Sequence, residues 1–194
     1  MLQKREVHTR AIVIARRSAG EGSVRVSLYT EELGLVSALA TSAREERSKL
    51  RPHLMVGTRG TFSLVKGKEV WRLTGAVGAV NTYFELETND QRESSARVIA
   101  LIRQFIRGEG HDEGLFESVW EYCTALRGVQ GDDVRILEYV TILRILSALG
   151  YVAPADDINE FLGAPYSAAL IASARERTKD LIRRINDGIS VSGL

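Results

Sequence analysis

The apolar pattern changes period once along this chain, and that change constrains the fold more than any other feature. From Val7 to Ala79 the apolar residues fall in short runs rich in β-branched side chains. Ala11–Ile14, Val24–Tyr29, Leu35–Leu39, Thr61–Val65 and Val70–Thr74 read as five strands. Gly20-Glu21-Gly22 and Glu32-Leu33-Gly34 supply turns between the first three. Lys66-Gly67-Lys68-Glu69 reads as a hairpin turn in which Gly67 supplies a positive φ. Five short strands with a longer excursion between the third and fourth predict a small Greek-key barrel of the OB type. An SH3-like barrel gives a similar string.

Residues 80–92, VNTYFELETNDQR, are polar and carry no long period, so the domain junction is placed there. Beyond it the spacing is helical. Val98, Ile99, Ile102, Phe105 and Ile106 share one helical face, ended by Gly108 and Gly110. Leu115, Phe116, Val119, Trp120, Cys123 and Leu126 share a second, ended by Gly128. Asp133 to Leu149 is apolar nearly all round, which predicts the buried centre of a bundle, stopped by Gly150. A short helix is expected at Asp156–Leu162. A last one runs from Pro165 to about Asn186, with Asp187-Gly188 closing it. The predicted class is therefore α+β: an N-terminal OB-fold β-barrel over residues 1–81, then an all-α helical C-terminal domain over 82–194.

The two halves differ in charge as well. Residues 1–81 hold 14 Lys and Arg against 7 Asp and Glu, while residues 82–194 hold 12 against 18. The formal net charge of +1 hides this asymmetry. A basic half beside an acidic one points to an anionic partner for the first, nucleic acid above all. Arg44, Arg47, Lys49 and Arg51 crowd the long loop between strands three and four, diluted by Glu45 and Glu46. Lys66, Lys68 and Arg72 flank the last hairpin, and Arg16, Arg17 and Arg25 lie on the first two strands. With Trp71 they make up the expected DNA-contact set. Tyr29, Phe62 and Trp71 stand among these cations, where aromatic rings can serve as stacking platforms in a basic groove. By pattern, Phe62 and Trp71 are equally placed for the core.

Catalysis finds little support. His8, His53 and His111 are scattered, no phosphate loop or nucleophile elbow is present, and Gly108-Glu109-Gly110 follows a helix rather than a strand. Asp132-Asp133 and Asp156-Asp157 each precede a helix, where capping and the helix dipole account for them. Cys123, the single cysteine, excludes an intramolecular disulfide and a Cys-pair zinc site. No metal and no cofactor are expected. No apolar run is long enough to span a membrane, and the N-terminus does not read as a secretory signal. A cytoplasmic, nucleoid-associated location is the expectation.

Residues 30–54, TEELGLVSALATSAREERSKLRPHL, resemble the strand–loop signature of the RecO family, bacterial recombination mediators. FSLVKGKEVWRLTGA, residues 62–76, resembles the hairpin that follows, and residues 9–34 fit the same N-terminal pattern. LEYVTILRILSALGYVAP, residues 137–154, is similar to the family's central helix. The resemblance implies binding of single- and double-stranded DNA, strand annealing, and recombinase loading with a RecR-like mediator. It also implies that the helical domain takes the C-terminal tail of single-stranded DNA-binding protein, for which Arg103, Arg107 and Arg144 are the candidate cations. A solvated helical face also accounts for Arg103 and Arg107, and an internal ion pair for Arg144. Many members carry a four-cysteine zinc module after the central helix; here residues 151–165 form a short link without cysteine. The readings of a protein–protein adaptor and of an OB-type RNA-binding module stay open beside this one.

Overall fold

Alternating burial builds five strands: β1 (Glu6–Ala19), β2 (Ser23–Thr30), β3 (Gly34–Ala40), β4 (Thr58–Lys66) and β5 (Trp71–Asn81). They come from a computed structural model that describes residues 6–106, 108, 110 and 112–192. Four antiparallel ladders link β3 to β2, β2 to β1, β1 to β4 and β4 to β5. Val13, Val24, Val26, Leu28, Val36, Phe62, Leu64, Trp71 and Leu73 pack into one core on the concave side, joined by Leu54 of a 3-10 turn, Arg51–Leu54.

The expected OB-fold β-barrel of five short strands is corrected here. Two strands are long, 14 residues in β1 and 11 in β5. The ladder bonding is also uneven. It is extensive over the four antiparallel pairings and shrinks to two residue pairs, Ala38↔Trp71 and Leu39↔Arg72, where β3 and β5 meet in parallel. That narrow seam takes the order β1-β2-β3-β5-β4 back to β1. The reason is length. β3 has seven residues, so only its end reaches the start of β5, and the rest of β5 follows β4. What stands is an α+β chain with a strongly bent five-stranded sheet and a helical C-terminal region.

The chain divides into two compact units. One is the chain up to Phe84 together with Ile106–Glu113; the other is Glu85–Phe105 with Gly114–Leu194. Within the first, the Leu35 amide donates to the Gly108 carbonyl at 3.0 Å, so the returning segment lies along β3.

The second unit is helical: α2 (Asn89–Phe105), α3 (Glu113–Ala125), α4 (Asp132–Ala148), α5 (Asn159–Gly163), α6 (Ala168–Glu176) and α7 (Thr178–Ser192), with a single turn, α1 (Thr82–Glu85), just before it. α4 packs against α2, α5, α6 and α7, which is why its sequence is apolar nearly all round. The single last helix expected from Pro165 is instead two. Ser167 caps α6 by accepting from the Leu170 amide at 3.2 Å, and the chain breaks at Arg177 before α7. Gly188 does not close a helix; it lies inside α7, where an added Cβ would stand 2.7 Å from Val152 Cγ2. Among the described residues, no helix is long and apolar enough to cross a membrane.

Candidate nucleic-acid interface

The strand registers bring three of the expected cations into one row. Arg17 pairs with Arg25, Arg25 with Leu39, and Leu39 with Arg72. Arg25, Leu39 and Arg72 each lie between two core residues, so their side chains point away from the core. Arg17 and Arg72 are exposed and Arg25 is half-buried.

A β-bulge puts Arg17 there. The β1–β2 register slips at Ile14, between Val13↔Leu28 and Ala15↔Ser27. Val13 faces the core. Strict alternation from Val13 would turn Arg17 inward; the one extra residue flips the remainder of β1 and sets Arg17 beside Arg25 on the outer face. Like charges placed directly opposite destabilise a ladder. Among the described residues, no carboxylate pairs with Arg16, Arg17, Arg25 or Arg72 to offset that repulsion. The adjoining row, Ala15–Ser27–Ser37, is small and leaves the arginines room.

Arg44, Lys66 and Lys68 stand at the same end of the sheet. Past β3 the chain turns at Ser42, whose φ is 52°, and the Arg44 amide donates to the Gly22 carbonyl at 3.0 Å. The basic loop is thereby tied to the β1–β2 turn. Arg44, Arg47, Lys49 and Arg51 are all exposed. Arg47 is bonded to Glu45 at 3.0 Å, so the loop neutralises part of its own charge. Lys66 and Lys68 are exposed beside the β4–β5 turn. Gly67 is needed in that turn for closeness rather than for a positive φ, since a Cβ would lie 2.5 Å from the Val70 carbonyl oxygen.

The aromatic platform expected on this face is not at the surface. Tyr29 is 2% exposed, Phe62 0% and Trp71 5%, and Phe62 and Trp71 belong to the core. Trp71 pairs with Ala38, a core position, so its ring fills the interior while Lys66 Nζ stands 4.6 Å from the ring centroid. Burial, with the Asp112 carboxylate nearby, pushes the Tyr29 hydroxyl well above its ordinary range.

Of the three candidate partner cations of the second half, Arg103 and Arg144 fall among the described residues. Arg103 is exposed near the end of α2, and Arg107 lies outside the described residues. Arg144 is buried at 6% exposure and donates to the carbonyls of Phe161, at 2.5 Å, and Ala164, with its guanidinium 4.2 Å from the Tyr166 ring centroid. It fastens the α5–α6 connection. The expected ion pair is replaced by carbonyls. Gln91, inside the supposed junction, escaped notice in the sequence. It is fully buried, accepts from the amides of Glu87 and Thr88, and donates to the carbonyls of Leu126 and Val129.

Fold and site define the class: an α+β protein whose small bent sheet carries an outward row of arginines, followed by a bundle of helices. The family model described as "Recombination protein O N terminal" matches residues 2–79. "DNA repair protein RecO" of Pelotomaculum thermopropionicum is 28% identical over 155 residues, covering 79% of this chain and 59% of the relative. Its namesake in Chlorobium phaeobacteroides is 30% identical over 149 residues, covering 75% and 56%. That of Dehalococcoides mccartyi strain 195 is 29% identical over 118 residues, covering 60% and 46%. By its N-terminal part, residues 2–79, the chain belongs to the RecO family. It spans about half the length of the curated relatives it matches. The single cysteine, Cys123, is buried on α3.

Proposed function

We propose that this protein is a non-enzymatic, DNA-binding mediator of recombinational repair. It captures single- and double-stranded DNA through phosphates at the basic end of the sheet, promotes strand annealing, and works with a RecR-like mediator in recombinase loading at the nucleoid. The observation that carries the reading is the row Arg17–Arg25–Arg72, three guanidinium groups in register with no carboxylate among them. Guanidinium groups bond phosphate oxygens in bidentate fashion, and a bound phosphate relieves the repulsion between Arg17 and Arg25. Exposed Arg16, Arg44, Lys49, Arg51, Lys66 and Lys68 add to the same field. The C-terminal tail of single-stranded DNA-binding protein is the further partner proposed for the helical unit, with Arg103 as its exposed cation.

A protein–protein adaptor is the second reading. The Arg47–Glu45 pair supports it by reducing the charge the loop can offer to DNA. Anisotropy titrations of labelled single-stranded DNA, duplex DNA and RNA over a range of salt separate the readings. The DNA reading predicts binding to both DNA forms, with log K falling linearly against log salt. Binding confined to RNA supports the RNA module. No binding to any of the three at low salt leaves the adaptor.

A further inference from the structure

Resting on the reading of the arginine row as a DNA surface, we propose that this face grips a single strand by its phosphates alone and leaves the bases unstacked and free to pair. The first unit, up to Phe84 with Ile106–Glu113, contains five aromatic rings of Phe, Trp and Tyr. Three of them, Tyr29, Phe62 and Trp71, are buried, and the exposed edge of the Trp71 site is occupied by Lys66. The other two, Tyr83 and Phe84, are exposed but follow the far end of β5, eleven residues or more along the chain from Arg72. They meet each other edge-on at 5.6 Å. Beside the arginines the outer face offers Leu39, which stands between Arg25 and Arg72, with Ala15, Ser27, Ser37 and Thr74, none of which carries a ring that can stack on a base.

The row crosses four strands, from β1 through β2 and β3 to β5, a distance of about 14 Å at the usual strand spacing. A DNA backbone lying along it runs across the β-strands with a few successive phosphates on the guanidinium groups. With no ring to hold them, its bases turn outward. Single-strand binders that stack bases depend strongly on those rings, losing roughly fivefold or more in affinity for each stacked base removed. A surface that reads phosphates alone shows no such dependence.

The test compares the full-length protein on labelled oligothymidylate and on an abasic oligomer of equal length, at matched salt. The expected result is dissociation constants within about threefold of each other, and permanganate reactivity of the bound thymines equal to that of the free strand. Abasic binding weaker by tenfold or more, or thymines protected in the complex, overturns the proposal while leaving the DNA reading intact. Failure of both oligomers to bind at low salt removes the DNA reading itself, and this binding mode with it.

Discussion

Arg144 illustrates why residue type misleads when its surroundings are unknown. A lone cation on an apolar helix reads as a partner contact or half of an ion pair, whereas its guanidinium satisfies two backbone carbonyls that follow it in sequence. Arg144→Met keeps much of the volume and leaves those carbonyls unbonded. We expect a loss of about 2–4 kcal/mol in urea unfolding; a change under about 0.5 kcal/mol would deny the fastening role. Glu31 makes the complementary case. Arg10 donates to both of its oxygens, at 2.8 and 2.6 Å, and these bonds hold the carboxyl below its ordinary range. A lowered folded-state value means the pair stabilises the protein above the ordinary carboxylate range and ceases to do so as pH falls through that lowered value. Glu31→Gln should therefore flatten part of the acid limb of stability against pH. Because both side chains are part-exposed, the effect at neutral pH should be at most about 1 kcal/mol. An acid limb identical to that of the parent protein would contradict the assignment.

The elements were legible where local pattern and tertiary packing agree. Short runs rich in β-branched residues located part of each of the five strands, and the all-round apolar character of 133–149 identified α4 as the centre of the bundle. The ends and the irregularities were not legible. A bulge such as that at Ile14 leaves the string of apolar residues unbroken, so the face on which Arg17 falls cannot be read from it. The break at Arg177 has no glycine or proline to announce it, and Gly188 looks like a helix terminator until Val152 is seen beside it. Gly188→Ala tests that contact. With the new methyl only 2.7 Å from Val152 Cγ2, it should destabilise by about 1–3 kcal/mol, lowering the melting temperature despite the better helix propensity of alanine. A raised melting temperature would show that Val152 simply moves aside.

At the scale of the molecule, the contrast of a basic first half with an acidic second is present in the sequence, and the basic half is the sheet-forming part. What the sequence could not tell was which cations share a surface. Arg44–Arg51 is the densest basic run in the sequence, yet Arg47 is 89% exposed and tied to Glu45, while the arginines that align, Arg17, Arg25 and Arg72, come from three strands far apart along the chain. In the proposed function the row therefore outranks the loop. The direct measurement is the salt dependence of single-stranded DNA affinity for two folded triple variants, one with Arg17, Arg25 and Arg72 changed to Ala, the other with Arg47, Lys49 and Arg51 changed to Ala. The slope of log K against log salt should flatten by about 2 in the row variant, at about 0.7 per lost phosphate contact, and by clearly less in the loop variant. A row variant that keeps the parent slope while the loop variant loses it would contradict the account.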